Sequence, residues 1–168
     1  MNLRMYFFVP YNISEIQKGI QAGHCALEYL IKYGHKALCM NFVLNHKTWI
    51  ILNGGTTRDD AGMMVECGDL NQIENILKDD EIEYASFREP DLNYALTAVC
   101  FIADERAWDL ENYPDFDSDI PEKSWVVKSG AISALQVEPK EVYNQWIEFI
   151  GGYKNRILRD LIRGKRLA

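Results

Sequence analysis

The chain has 168 residues, of which 48% are hydrophobic and 26% are charged, and its formal net charge is −7. This composition is enough to bury a core and excludes a chain that is disordered throughout. No apolar run reaches the roughly 20 residues that a transmembrane helix needs, and the start lacks the basic region and cleavage site of a signal peptide. We therefore expect a cytoplasmic protein with no membrane partner.

The first predicted elements are a buried strand and a long helix. An aromatic-rich apolar run at residues 3–9 predicts the strand, and Asn12 or Ser14 is expected to cap the helix that follows and ends before Gly34. Six apolar residues recur at helical spacing and are expected to form its buried face: Ile16, Ile20, Ala26, Leu27, Leu30 and Ile31. Gly23 is less favourable than alanine by about 1 kcal/mol inside a helix, which suggests a close approach to its backbone.

A polar stripe on the same helix is the first candidate for chemistry. Gln17, Gln21, His24 and Glu28 recur at helical spacing, and Lys18 lies beside them. Near the positive end of a helix, such side chains can hold an anionic or carbonyl group. An ordinary amphipathic helix with a solvated polar face is the commoner explanation of such a stripe.

The middle of the chain predicts a second strand, a glycine-rich loop and a short helix. Residues 47–53 form an apolar run ended by two glycines, and residues 69–78 have the spacing of an amphipathic helix with Asp69 at its N-cap. The stretch 54–58 lacks the Gly-Lys-Ser/Thr spacing of a P-loop and precedes two aspartates. We expect a surface loop there and no nucleotide-phosphate site.

A polar turn joins the third and fourth predicted strands. Residues 83–87 alternate as a strand, 88–93 have the composition of a turn, and 96–103 form a nearly continuous apolar run typical of a strand buried on both faces. Five polar side chains in and after the turn are candidates for binding or catalysis: Arg88, Glu89, Asp91, Asn93 and Thr97. A plain hairpin turn explains the shape of this segment but not its two carboxylates and arginine.

The alternation of strands and helices predicts an α/β fold for residues 1–103, with a small mixed sheet of about four strands and helices on both faces. Residues 104–138 are predicted to be an acidic connector that packs on the core; residues 104–122 alone have a net charge of −7 and three aromatic side chains. Residues 139–168 are predicted to form an amphipathic, basic C-terminal helix.

The C-terminal helix carries an apolar stripe, which makes a homodimer possible, and two adjacent glycines at 151–152 that can kink it. Six basic residues crowd its end: Lys154, Arg156, Arg159, Arg163, Lys165 and Arg166. Cations at a helix C-terminus stabilise its dipole, and they can also bind RNA phosphates. Both explanations stay open, and contact with RNA has to be local and salt-sensitive because the whole chain is acidic.

The four cysteines are Cys25, Cys39, Cys67 and Cys100, with no Cys-x-x-Cys pair and no Cys/His cluster at metal-binding spacing. Three of them have apolar neighbours and are expected to be buried thiols, with Cys67 the most exposed. We expect no metal and no other cofactor.

The order of these elements resembles the type 2 peptidyl-tRNA hydrolases, and in particular a bacterial and phage branch of that family, over residues 3–103. The family has a Gly-Lys-x-x-x-Gln-x-x-His-Ala helix after its first strand, and an Asp-rich turn before a strand that starts at threonine. Several residues lie close to these motifs: Gln21, His24 and Ala26 in the helix, and Glu89, Asp91 and Thr97 at the turn. At the family's lysine position this chain has Gln17, with Lys18 next to it, and the Asp-Ala-Gly-x-Thr turn does not match residue for residue.

The resemblance implies hydrolysis of the ester between a peptide and tRNA by direct attack of water. The basic tail, which lies outside the resemblance, is the candidate contact for tRNA. The resemblance also implies four catalytic residues, namely Asp91, His24, Glu89 and Thr97, and five substrate contacts, namely Gln17, Lys18, Gln21, Asn93 and Arg88. Two alternatives stay open. One is a catalytically inactive module of the same fold that binds tRNA or a host protein, and the other is an enzyme acting on a different small ester, amide or nucleotide linkage.

Overall fold

A computed structural model of the chain describes residues 1–58, 67–116 and 139–168. The first half contains strand β1 (Leu3–Val9), helices α1 (Glu15–Tyr33) and α2 (Ala37–Asn41), a π-helical turn (Phe42–His46) and strand β2 (Thr48–Asn53). Helix α3 (Asp69–Asp79), strand β3 (Tyr84–Glu89), a 3-10 turn (Pro90–Leu92), strand β4 (Ala95–Asp104) and helix α4 (Glu105–Trp108) follow. Helices α5 (Pro139–Phe149) and α6 (Tyr153–Ile162) complete the described part.

The four strands form one mixed sheet in the order β2-β1-β4-β3. Strands β1 and β2 are parallel, and β4 is antiparallel to both β1 and β3. Strand β3 therefore runs in the direction of β1, so the carboxyl ends of three strands lie at one edge of the sheet, at Val9, Asn53 and Glu89. We call this edge the carboxyl edge; the first residues of β4 also lie there.

Helices cover both faces of this sheet. On one face α1 and α2 pack around side chains that include Phe7 and Cys100, and on the other α3, α4 and α6 pack around Phe8 and Phe101. Successive strand residues point to opposite faces, so a strand covered on both sides is apolar at nearly every position. The predicted α/β fold, with a mixed sheet between helices and a C-terminal helical extension, is confirmed.

Helix α1 turns a different face to the sheet from the one its apolar spacing predicts. Ile16, Ile20, Leu27 and Ile31 are between 50% and 79% exposed, so their prediction as buried residues is wrong. The buried residues are Lys18, Gln21, Ala22, Cys25, Ala26 and Tyr29. Three of these are small, which lets the helix lie close to the sheet, and hydrogen bonds compensate the burial of the polar ones.

The predicted ends of α1 are confirmed, whereas the prediction for its interior glycine is wrong. Ser14 is the N-cap and forms a capping box with Gln17, and the Gly34 N–H donates to the carbonyl of Leu30 at the other end. A Cβ at Gly23 would meet no atom within 4 Å. The predicted close approach to that glycine is therefore wrong for the part of the chain that the structure describes.

The loop after β2 is tied to α3 by the residue predicted to cap that helix. Gly68 is the N-cap, and Asp69 is the first helical residue, so the predicted cap is wrong by one position. The Asp69 carboxylate instead accepts a 3.1 Å hydrogen bond from the Thr56 backbone N–H. A Cβ at Gly54, the first residue of this loop, would lie 2.8 Å from the side chain of Leu70, so α3 packs directly on the carboxyl edge.

The C-terminal segment forms two helices where the sequence predicts one kinked helix. Gly151 and Gly152 both have positive φ values, 90° and 98°, a region that glycine adopts readily and other residues rarely do. Trp146 and Ile150 of α5 and Leu161 of α6 are buried within the chain. The apolar stripe that would carry a homodimer is therefore largely used inside the protein.

The acidic connector is described as far as residue 116, and residues 117–138 of the predicted connector lie outside the described part. The indole N–H of Trp146 donates to the Pro114 carbonyl, and the ring of Phe116 packs on Tyr143 and Trp146. The end of the described part of the connector therefore packs on α5.

The last residues of the chain cover the outer edge of β2. The Asn53 N–H donates to the Arg166 carbonyl over 2.9 Å, and the Ala168 N–H donates to the Ile51 carbonyl over 3.0 Å. This short antiparallel pairing places Arg166 at the carboxyl edge. In the three described stretches of the chain, no helix combines the length and apolar character that crossing a membrane requires.

All four cysteines are free thiols, and the predicted burial pattern is confirmed: Cys25, Cys39 and Cys100 are buried, and Cys67 is partly exposed. Burial raises the pKa of the Cys39 thiol and raises that of Cys100 well above its usual range. The three buried cysteines therefore contribute as small apolar core residues.

Candidate functional site

Three predicted site residues from α1, β3 and β4 form one hydrogen-bonded chain at the carboxyl edge. The Thr97 hydroxyl donates to Gln21 Oε1 over 2.7 Å, and Gln21 Nε2 donates to Glu89 Oε2, also over 2.7 Å. Gln21 and Thr97 are buried, whereas Glu89 is partly exposed. We call these three residues the Gln21 cluster.

The two neighbours of Gln21 fix the orientation of its amide. An ionised carboxylate only accepts hydrogen bonds, so the amide nitrogen must face Glu89 and the amide oxygen must face the hydroxyl of Thr97. The Thr97 hydroxyl also lies 3.3 Å from the Phe87 carbonyl, a longer contact than the one to Gln21. The second carboxylate oxygen of Glu89, Oε1, accepts no hydrogen bond from any residue in the described part of the chain, so it is left for solvent or substrate.

The backbone at the end of β3 sets the direction of the Glu89 side chain. The pairing of β3 with β4 shifts register between Phe87 and Arg88, and such irregularities redirect the side chains that follow. The turn to β4 is closed by Asn93 and Tyr94, whose φ values are 53° and 58°. Positive φ is unusual for tyrosine, so this turn holds a constrained conformation immediately beside the Gln21 cluster.

His24 borders the cluster one helical turn after Gln21. Its ring stacks on Phe87, with 4.6 Å between the ring centroids and 20° between the ring planes. The residue is exposed, and its ring nitrogens form no hydrogen bond with the described residues. The imidazole is therefore held by stacking while both nitrogens stay available to a ligand.

Lys18 and Gln17 do not lie together on one exposed polar face: Lys18 is buried and Gln17 is exposed. The Lys18 side chain is 11% exposed and lies on the same face of α1 as Gln21, with its Nζ 2.8 Å from the Glu15 carboxylate. Gln17 is exposed, and its side-chain oxygen accepts a 3.0 Å hydrogen bond from the Ser14 N–H. Lys18 therefore points inward, because α1 is rotated relative to its predicted orientation.

The remaining predicted site residues lie outside the cluster. Asp91 and Asn93 are exposed on the 3-10 turn and its C-cap. Arg88 pairs with Glu74 of α3 over 2.8 Å. Of the two acidic residues in the predicted turn segment 88–93, Glu89, at the end of β3, is hydrogen-bonded to Gln21, and Asp91 is exposed.

Sequence reasoning missed two features that shape the site. The Ser-x-x-Gln spacing at residues 14–17 is a capping-box signature, and it would have assigned Gln17 to the helix end instead of to substrate. The contact of Phe87 with His24 carries no local signal, since it depends on how α1 crosses β3.

Four of the six basic residues of the tail are engaged within the protein. Lys154 donates to the Glu81 carbonyl, Arg156 pairs with Asp160 over 2.8 Å, Arg159 is only 2% exposed, and Arg163 pairs with Asp115. Lys165 and Arg166 are exposed. Neighbouring strands lie about 4.8 Å apart, so the β2 end of the carboxyl edge, where Arg166 lies, is roughly 15 Å from β3, which ends at Glu89.

The site thus offers a carboxylate with one free oxygen, held by a buried amide and placed beside an imidazole. Such a pair can orient a water molecule and donate to a carbonyl oxygen. In the described stretches, no three His, Cys, Asp or Glu side chains are grouped as a metal site.

No family model matches this chain, and a comparison with curated proteins finds no match.

Proposed function

We propose that the protein hydrolyses the ester bond of peptidyl-tRNA, or of an N-blocked aminoacyl-tRNA, by direct attack of water. The observation that carries this proposal is the Gln21 cluster, because it joins three of the side chains singled out by the resemblance to type 2 peptidyl-tRNA hydrolases. The resemblance supplies the substrate class, and the cluster supplies a group able to act on water.

In the proposed reaction Glu89 orients the attacking water. Gln21 holds one carboxylate oxygen, and the other is free to accept a hydrogen bond from water and take up its proton as the C–O bond forms. When the tetrahedral intermediate collapses, the bond to the ribose oxygen breaks and the proton passes from Glu89 to that oxygen, which leaves as the hydroxyl of the tRNA. Thr97 holds Gln21 in position and is not the nucleophile. Its hydroxyl proton is donated to Gln21, and the residue is only 3% exposed. Direct water attack therefore suits this site better than a covalent intermediate.

His24 contacts the substrate in this proposal. Its ring lies at the rim of the Gln21 cluster, and stacking on Phe87 keeps it in one orientation. A donor at this position can stabilise the negative charge that develops on the ester carbonyl oxygen.

The tRNA contacts the basic residues at the other end of the carboxyl edge. Lys165 and Arg166 are exposed beside the end of β2. With tRNA phosphates bound there, the acylated end of the tRNA would extend along the carboxyl edge to Glu89. Because the whole chain has a net charge of −7, this contact is local and weakens steeply with salt.

The test is release of the N-acetyl-aminoacyl group from N-acetyl-aminoacyl-tRNA by the wild type, Glu89→Gln and Asp91→Asn. The glutamine oxygen can still accept from Gln21, so Glu89→Gln keeps the cluster but loses the base, and its turnover should fall by at least about tenfold. Asp91→Asn removes the neighbouring exposed carboxylate and should retain turnover. Equal loss in both variants, or none in either, contradicts the assigned role of Glu89.

A catalytically inactive tRNA-binding module is the second candidate, and one observation favours it. Gln17, at the family's lysine position, is committed to the capping box, and the ammonium group of Lys18 is paired with Glu15. In that case the wild type releases no aminoacyl group but binds tRNA in a salt-sensitive way, and the double variant Lys165→Gln/Arg166→Gln abolishes that binding. Absence of both turnover and binding contradicts both candidates.

A further inference from the structure

A pocket of about 260 Å³ lies on the sheet face opposite α1, and residues of β1, β2, α4 and α6 line it. Its strand residues, Tyr6 and Leu52, belong to the core cluster of that face, whereas α1 packs on the other. The pocket is therefore separate from the Gln21 cluster.

The charges that line the pocket are unbalanced. Arg4, Arg159 and Arg163 line it, and Asp115 is the single acidic residue among the described lining residues. That one carboxylate is shared, since it is 3.2 Å from Arg159 and also accepts from Arg163. Three guanidinium groups against one carboxylate leave a positive excess, which favours an anion in a partly desolvated space.

Arg4 is the guanidinium that lacks a carboxylate within ion-pair distance among the described residues. Its Cζ lies 3.3 Å from the centroid of the Trp108 ring, a stacking that holds the group flat. Arg4 also hydrogen-bonds the hydroxyl of Tyr6, another lining residue. A guanidinium has five N–H donors, so others remain for a ligand. The buried indole N–H of Trp108 has no acceptor in the part of the chain described here. The pocket wall therefore contains donors that the protein itself does not satisfy.

The rest of the lining is apolar. It includes Leu52, Ala107, Leu110 and Ile162. Small-molecule sites combine mostly apolar walls with a few polar groups, and their volumes run from about 300 to 1,000 Å³. At about 260 Å³ this pocket is just below that range, so it suits a compact ligand.

We propose that the pocket binds a small organic anion, with its carboxylate or phosphate group between Arg4 and Arg163 and its apolar or planar part against Leu52 and Ile162. The guanidinium fork matches the oxygens of either anion in a bidentate geometry. Arg159 is buried and donates to the Arg106 carbonyl over 2.8 Å, so it supplies charge behind the ligand. This site does not depend on the proposed hydrolase activity.

Calorimetric titration of the full chain with benzoate, adenosine 5′-monophosphate and inorganic phosphate, each at low ionic strength, tests the proposal. We expect one organic anion to bind at least about tenfold more tightly than inorganic phosphate, because only the organic anion uses the apolar wall. The comparison of benzoate with the nucleotide distinguishes a carboxylate from a phosphate ligand. Equal affinity for inorganic phosphate, or no binding of any probe at millimolar concentration, overturns the proposal.

Single variants locate the binding. Arg4→Gln and Arg163→Gln should each weaken it by about tenfold or more, the usual effect of losing a charge-assisted hydrogen bond. Lys165→Gln is the matched control, since it removes a cation from the same tail but outside the lining. The Arg163 side chain is 59% exposed, so its substitution leaves the fold intact, which an unchanged melting temperature verifies. Unchanged affinity in both arginine variants places the bound anion elsewhere and overturns the proposal.

Discussion

Gln21 of α1 donates a 2.7 Å hydrogen bond to Glu89 of β3, 68 residues later in the chain. This bond, with the one from Thr97, satisfies a glutamine that is only 8% exposed. Gln21→Ala leaves the Glu89 carboxylate and the Thr97 hydroxyl without this partner, so the free energy of unfolding should fall by about 1–3 kcal/mol.

Urea denaturation of Gln21→Ala and Glu28→Ala measures that effect. Glu28 lies on the same helix but is exposed, and a surface substitution of this kind changes stability by at most about 0.5 kcal/mol. Equal, small effects of the two variants would mean that the Gln21 cluster does not hold α1 on the sheet.

Two glycines should respond in opposite directions to alanine. Gly23→Ala adds a methyl group where nothing lies within 4 Å, so it should stabilise the protein by about 1 kcal/mol through helix propensity. Gly151→Ala forces a positive φ of 90° on a residue with a side chain and places its Cβ 2.6 Å from the guanidinium carbon of Arg106, so it should destabilise by about 1–2 kcal/mol or more.

Thermal unfolding of these two variants, side by side with the wild type, gives the sign directly. A loss of stability in Gly23→Ala would indicate that something does pack on the outer face of α1 in solution. A neutral Gly151→Ala would mean that the turn between α5 and α6 can relax.

The strands could be predicted from local pattern alone, and the orientation of α1 could not. Strands β2 and β4 are both apolar runs in the sequence, so the predicted bounds 47–53 and 96–103 are within one residue of Thr48–Asn53 and Ala95–Asp104. The α1 face that meets the sheet contains small and polar residues, which give little apolar signal. The burial of Gln21 is compensated by a residue 68 positions away, and helical spacing contains no information about that partner.

The candidate site was also predictable only in part, because local pattern identifies some of its residues but not their contacts. Helical spacing identifies Gln21 as a candidate, and the position near the start of a strand identifies Thr97. In the structure the Thr97 hydroxyl donates a 2.7 Å hydrogen bond to Gln21. The choice between Glu89 and Asp91 depends on where β3 ends and on the register shift after Phe87. The two carboxylates lie two residues apart in the segment predicted as a turn, where the sequence does not distinguish them. In the structure Glu89 is the last residue of β3, whereas Asp91 lies on the 3-10 turn.

The cysteines should differ sharply in reactivity toward a thiol reagent. Cys25, Cys39 and Cys100 are buried, and burial raises the pKa of the Cys39 and Cys100 thiols, so little reactive thiolate is present there at neutral pH. We expect the native protein to show one rapidly reacting thiol and the denatured protein four. In Cys67→Ser the rapid phase should disappear, and its persistence would show that one of the core cysteines is accessible.

Asp104 should make folding stability depend on pH in the acid range. Burial alone would raise the pKa of this carboxyl, but hydrogen bonds from Arg106 and Asn155 outweigh burial and hold the pKa below its usual value. Arg106 donates from Nε over 3.0 Å and from Nη2 over 2.7 Å. The folded state therefore favours the ionised form more strongly than the unfolded chain does.

Because the folded pKa is depressed, the contribution of Asp104 is fully present above the unfolded pKa of about 3.9 and is lost as the pH falls through the lower folded value. Asp104→Asn should therefore be less stable than the wild type at pH 7, and the gap should close below about pH 4. Urea unfolding across this range measures both curves, with Asp160→Asn, on the exposed surface of α6, as the control. A gap between wild type and Asp104→Asn that stays constant down to the lowest pH would show that the aspartate acts through packing and not through its charge.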